Sequence, residues 1–372
     1  MENAAGDRLI LALDSDEAVA KLKFPKNVKE IVIDGCGHTL TFSGAAAIKP
    51  DRKLTLYDIT IKVEKKDKPQ NITLTATAGG LVLEKVTFDG KKTTVNAKKG
   101  DLTLIGVTAE NLFVRGDPKT ELTVGGTVNA AKITGFGKVL LNGTLTASET
   151  LNIGAITFVE GSVLNAPKNA AITFKNGLSG TGTINLADGF KPLTIKGTIG
   201  GKITLTADKP LAEGQLIFKS KLTDLIDVFD ISGIAPVVND GTYEYRLYVK
   251  SSKVYLRAFK MQVGDTTYCE WADIMSGITK AGKSGESYSL NLLGNVDLGK
   301  TFKLPTKGKY GGLTIDGNGH TLTYSGSSIT LTGNLKLTNL TLTAMAKNGC
   351  TIKQGSFTLD AGGAELVNCK IK

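Results

Sequence analysis

One block is written twice in this chain. Ile31-Val32-Ile33-Asp34-Gly35-Cys36-Gly37-His38-Thr39-Leu40-Thr41-Phe42-Ser43-Gly44 returns as Leu313-Thr314-Ile315-Asp316-Gly317-Asn318-Gly319-His320-Thr321-Leu322-Thr323-Tyr324-Ser325-Gly326. The flanks return as well, with Leu22-Lys23-Phe24-Pro25 before the first copy and Phe302-Lys303-Leu304-Pro305 before the second. A unit used twice constrains the fold more than any local propensity, because each copy must find the same neighbours.

Between the copies, Val28 to about Lys219 is a series of short runs alternating at period two and broken by Gly, Asn and Asp. Examples are Asn71-Ile72-Thr73-Leu74-Thr75, Leu81-Val82-Leu83 and Lys202-Ile203-Thr204-Leu205-Thr206. Such runs are half-buried strands. The pattern Leu-x-Leu-x-x-apolar starts at Leu54, Leu81, Leu102 and again at Leu335. Its first three starts are separated by intervals in the twenties, the size of one coil of a parallel β-solenoid. Two-residue hairpin signals are confined there to Asn142-Gly143 and Asn176-Gly177. An antiparallel sandwich, the alternative fold, needs more of them.

The pattern changes after Lys219. Leu222–Asp230 reads as a short helical or irregular segment, followed by a hairpin of Tyr243–Lys250 and Lys253–Phe259 around Ser251-Ser252. Pairing across that turn sets Leu247 opposite Leu256 and Val249 opposite Val254 on one face, with Tyr248 and Tyr255, and Arg246 and Arg257, on the other. Trp271, Ile274, Met275 and Ile278 then form an apolar stripe at helical spacing, suited to capping the end of a stack. Near Tyr288 the repeated unit restarts. The expected organisation is a β-helix module over 1–220, a hairpin junction over 221–262 and a second, truncated module over 263–372. The chain is expected to begin and end inside repeating modules of a longer array, so that adjacent modules are among its partners.

The formal charge of +10 is almost wholly lysine, since arginine occurs only at positions 8, 52, 115, 246 and 257. Bidentate reading of bases or phosphates prefers arginine, so nucleic acid is not an expected partner. Lysine serves as a solvated surface and as protection of strand edges, with affinity for acidic polymers as the functional alternative. Lys65-Lys66, Lys91-Lys92 and Lys98-Lys99 would form a basic stripe if they stacked. No apolar run is long enough to insert in a membrane, and Met1–Gly6 does not read as a signal peptide. The cysteines, Cys36, Cys269, Cys350 and Cys369, lack metal-type spacing. Cys369 falls where the repeat places Leu340, the position of a buried small hydrophobe.

The Asp-Gly-x-Gly-His-Thr-Leu turn with its following coils resembles bacterial secreted or surface proteins built on pectin-lyase-like right-handed β-helices. It is most similar to modular repeats of large surface proteins from Gram-positive gut-type bacteria, in which a Trp-containing helix, this turn and β-helix coils occur in tandem. The resemblance implies an extracellular or cell-surface, adhesin-like protein that contacts glycans or host proteins. The lyase activity found on this fold does not follow from it. That activity needs carboxylates converging on calcium, whereas Asp58, Asp89, Asp101 and Asp117 are scattered singly. Nor does the sequence carry the tandem Asp-Asp or Gly-His-Gly patterns of related glycoside hydrolases, which need two opposed carboxylates.

His38 and His320, the only histidines, share one turn context, which favours a structural role for them and for Asp34 and Asp316 over acid–base work. Asp224, Asp227 and Asp230 alternate with apolar residues and read as solvated acids on an amphipathic turn rather than a metal site. Arg246, Tyr248, Tyr255 and Arg257 are the candidate binding residues, since aromatic planes stack on sugars and arginine adds directional hydrogen bonds; the competing role for that face is packing against a neighbouring module. No cofactor or metal is expected. The reading is an all-β, right-handed parallel β-helix with a hairpin and helix junction, non-catalytic, with a polysaccharide lyase or hydrolase and a pure spacer as alternatives.

Overall fold

Alternation at period two sends every second side chain inward, and a parallel coil stacks it on its equivalent in the next coil. In the computed structural model this is the arrangement of nearly all the chain: 62% is strand and 4% helix, in parallel stacked coils. The structure describes residues 3–5, 7–23, 25, 27–44, 46–65, 68–222, 225–236, 243–281, 285–300, 302–304, 310–331, 333–353 and 359–372. Phe24, Lys66, Asp224 and Pro305 lie outside the described residues.

Contacts divide the chain into two units. The first comprises residues 1–211, 216–235 and 248–255, the second 212–215, 236–247 and 256–372. The hairpin is shared between them, its tip with the first and its base with the second.

In the first unit the leucine pattern is a register. Ile31 pairs with Leu54, Leu54 with Leu81, Leu81 with Leu102, Leu102 with Leu122 and Leu122 with Val139. Every member of that column is at most 1% exposed, so each contributes the full ~1.5–3 kcal/mol of a buried aliphatic side chain. A one-residue slip would turn the whole column to solvent, which is why the register holds. Asn142-Gly143 and Asn176-Gly177 lie inside the long strands Lys138–Ala166 and Ala171–Leu186, which pair in parallel. The sandwich is thereby excluded.

The second unit has three parallel sheets. Ser287–Leu292, Gly312–Asp316, Asn334–Thr338 and Leu359–Asp360 stack in one, extended by the antiparallel Met261–Val263 and Thr266–Tyr268. Val296–Asp297, Thr321–Tyr324, Thr341–Ala344 and Glu365–Val367 form the second, and Ser328–Thr330, Cys350–Lys353 and Cys369–Ile371 the third. The helix Trp271–Ala281 buries the predicted stripe of Trp271, Ile274, Met275 and Ile278 in this core. Trp271 stacks on Phe302 at 4.8 Å and donates its indole N–H to the Lys303 carbonyl at 3.0 Å, so its one polar atom is satisfied.

Cys369 departs from expectation. It pairs with Cys350 in the third sheet, whereas Leu340 precedes the strand Thr341–Ala344 of the second. The last coil is shorter between these corners, so counting from the leucine pattern overshoots by one face. Cys369 is half-buried rather than buried.

The duplicated turn explains its own residues. Asp34 Oδ1 accepts from the Cys36 N–H at 2.9 Å and Asp316 Oδ1 from the Asn318 N–H at 3.0 Å. His38 N–H donates to the Gly35 carbonyl at 2.7 Å and His320 N–H to Gly317 at 2.8 Å. Positions 36 and 37 have φ of 49° and 83°, and positions 318 and 319 have 49° and 85°. This is a tight Asx-supported turn, and the carboxylate in each copy is spent on the backbone. Replacing Asp34 with Ala should cost about 1 kcal/mol, the usual worth of such a bond. Asp316→Ala should cost about 1–2 kcal/mol, because Asp316 also accepts from Asn339 Nδ2 at 3.2 Å. Chemical denaturation of the two variants checks the order.

Candidate binding face

The hairpin that carries the four predicted binding residues forms as expected in outline. Glu244–Lys250 and Lys253–Phe259 flank Ser251 and Ser252, whose φ of 50° and 59° give the two-residue turn that suits strand twist. Leu247, Val254 and Leu256 are buried. The strand Lys253–Phe259 also pairs antiparallel with Leu216–Lys219, a neighbour the local sequence did not announce.

Tyr248 and Tyr255 belong to the first unit and Arg246 and Arg257 to the second. Both tyrosines are half-buried. Each guanidinium already has an acidic partner. Arg246 bonds Glu244 at 2.7 Å and lies 5.3 Å from the Phe259 ring centroid, while Arg257 meets Glu270 at 3.3 Å. Arg257 lines a cleft of about 440 Å³ in the second unit with Glu213, Lys260, Cys269 and Asp297. Lys260 and Glu213 pair there at 3.3 Å, so the cleft balances its own charge. Burial pushes the Cys269 thiol up to about 11, which leaves it protonated and unreactive near neutrality.

A different surface has unbalanced charge at one of its ends. On one face of the first unit, register places Asn96, Arg115, Thr134, Asn152, Thr173, Thr194, Lys219 and Lys253 side by side on successive strands. The adjoining column is Thr73, Thr94, Phe113, Lys132 and Thr150. The face thus has a basic-aromatic end, a Thr/Asn track and a lysine end. Arg115 and Lys219 are five strand spacings apart, about 24 Å at ~4.8 Å per spacing.

At the lysine end a cleft of about 460 Å³ is lined by Lys196, Lys219 and Lys221 together with Thr194, Ser220 and Ser252, and none of its lining residues is acidic. Pairing of Phe174 with Ile195 sets Lys175 beside Lys196. These lysines are exposed. Like charges on neighbouring strands repel, and no carboxylate in the lining offsets them. At the other end Lys92 Nζ stands 4.1 Å and Lys132 Nζ 5.9 Å from the Phe113 ring centroid, with Lys132 also paired to Glu149 at 3.1 Å. Phe113, Lys91, Lys92 and Glu110 border a cleft of about 680 Å³. Cations beside a partly open aromatic ring, then threonine hydroxyls, then more cations, suit a long anionic ligand with apolar ring faces and many hydroxyls.

Of the expected lysine pairs only Lys91-Lys92 borders this face, and the pairs do not stack into a stripe. Lys91-Lys92 and Lys98-Lys99 stand at the two ends of the single strand Lys92–Ala97. Residues in one coil cannot stack on each other, because stacking joins equivalents one coil apart. The lysines that do gather, at positions 175, 196, 219 and 221, are single in sequence. Only the coil register, once known, could have found them.

No family model matches this chain, and no curated protein or solved structure matches it either. The functional reading therefore rests on the geometry of the molecule itself. Among the described residues no group of three or more His, Cys, Asp or Glu side chains is placed to hold a metal ion. Asp230 is spent on a turn, accepting from the Ser232 N–H at 2.9 Å, which holds its carboxyl below the usual range. No described helix is long and apolar enough to cross a membrane.

Proposed function

We propose that this chain is a non-catalytic, right-handed β-helix segment of a bacterial extracellular or cell-surface protein, adhesin-like, whose first unit holds an acidic glycan along the Arg115–Lys219 face. The observation that carries this reading is the lysine-lined cleft without an acidic residue, on the same face of the stacked coils as the Phe113 site. A linear polyuronate matches it in shape and charge, and its sugar rings supply apolar faces for Phe113. Pectin-lyase-like ancestry and adjacent modules in tandem belong to the same proposal.

The test is native electrophoresis through gels containing polygalacturonate or a neutral glucan. Retardation is expected in the acidic gel, partly relieved by salt because lysine contacts are screened. Phe113→Ala should weaken retention about tenfold, the worth of one stacking contact of ~1–1.5 kcal/mol. A cleared zone around the band after polysaccharide staining would convert the protein to a lyase or hydrolase. Free migration in every gel would leave a spacer or a protein-binding adhesin.

A further inference from the structure

The third sheet of the second unit sets two cysteines side by side. Cys350 and Cys369 are partners on adjacent parallel strands, flanked in register by Thr351 with Lys370 and Ile352 with Ile371. The Cys350 N–H donates to the Asn368 carbonyl at 2.9 Å, which fixes the alignment at this rung. Neighbouring strands run about 4.7–4.9 Å apart. A disulfide accepts Cα separations of about 4.4–6.8 Å, so this pair sits inside the permitted range. Residues paired in register face the same side of a sheet. Cys350 is 2% exposed, and Cys369 is half-buried with Sγ 3.4 Å from the Val367 carbonyl oxygen. One thiol is therefore reachable by a small reagent and the other by its neighbour alone. Ile371, in register with the buried Ile352, is 49% exposed.

We infer that Cys350 and Cys369 are a disulfide site which, when oxidised, clamps the coil of Cys369–Ile371 to the coil of Cys350–Lys353. The reaction balances with a small disulfide such as oxidised glutathione. The Cys369 thiolate attacks one glutathione sulfur, forms a mixed disulfide and releases reduced glutathione. The Cys350 thiolate then attacks Cys369 Sγ and releases the second. Two protein thiols lose two protons and two electrons, and one oxidised glutathione becomes two reduced molecules. Burial holds both thiols above their ordinary range, so the exchange quickens as pH rises. This inference is independent of the glycan reading.

The experiment treats the folded Cys36→Ser chain with oxidised glutathione, alkylates remaining thiols and maps tryptic peptides. Removing Cys36 takes away the one exposed thiol. The expected product is a disulfide joining the peptide ending at Lys353 to that ending at Lys370. Amide exchange over Cys369–Ile371 should then slow by about tenfold or more, as expected for closing a loop of this size, and recover on reduction. Cys350→Ser should stop at a stable glutathione adduct on Cys369, while Cys369→Ser should leave Cys350 free. A Cys36→Ser chain that yields only the Cys369 adduct, or links the pair only in denaturant, overturns the inference. So does a linked pair with unchanged exchange.

Discussion

Gly317→Ala is expected to destabilise the second unit by about 3 kcal/mol or more, at the upper end of the cost of forcing atoms into a packed interior. A Cβ at Gly317 would lie 2.1 Å from Leu340 Cβ and 2.6 Å from the Asn339 carbonyl oxygen in the next coil. Those atoms belong to the adjoining backbone and its first side-chain carbon, so no rotamer change relieves the clash. Gly35 makes the same approach in the first unit, with Asp58 O and Ile59 Cβ each at 2.5 Å. The chain has one tryptophan, Trp271, and it lies in the second unit. Its fluorescence in a denaturant titration therefore reads that unit. Gly277→Ala is the matched control. It stands in the helix Trp271–Ala281, where the nearest obstacle to a Cβ is the Tyr268 hydroxyl at 3.9 Å. It should raise stability by about 0.5–1 kcal/mol through helix propensity. A midpoint unchanged by Gly317→Ala would mean that the coils are not as close at this corner as described.

Lys196→Glu, Lys219→Glu and Lys221→Glu together should weaken retention in polygalacturonate gels on the order of 100-fold, since each reversal replaces an attraction with a repulsion at the anion. All three side chains are exposed, so the fold should survive, which far-ultraviolet circular dichroism checks. Reversing Lys98, Lys99 and Lys138 instead changes net charge equally but touches none of the residues lining the lysine cleft. That variant should retain most of the binding. Equal losses in the two triple variants would reduce the interaction to overall charge and remove the site.

The exposed lysines of this face are costly without a ligand only at low salt, because a Debye length of about 8 Å at physiological ionic strength screens all but the nearest pairs. The neutral chain of Thr134, Asn152, Thr173 and Thr194 between the two basic ends matters for that reason. In the proposed glycan complex it would separate the two charged ends so that they do not repel each other, and its threonine hydroxyls are suited to hydrogen-bond water or sugar.

The repeat, the strand alternation and the apolar stripe of the helix were local signals, and each is enforced locally. A period of two has only one burial solution in a stacked coil, Asp-Gly-x-Gly has one tight turn, and Trp271 with Ile274, Met275 and Ile278 has one apolar side. These determined the fold class, the turn-bonding role of the duplicated Asp, and the buried face of the helix. The binding face was a different matter. Arg246 and Arg257 stood out in the sequence beside Tyr248 and Tyr255, while their ion pairs with Glu244 and Glu270 were not read from it, and Glu270 reaches Arg257 only after the chain turns back. Lys175, Lys196 and the Lys219-Ser220-Lys221 segment carried no shared signal, being separated by coils of unequal length. Cys350 and Cys369 were likewise unrelated until register paired them. What tertiary structure alone decided is which residues are neighbours between coils, because that depends on the length of every turn between them, and turn length has no period to read.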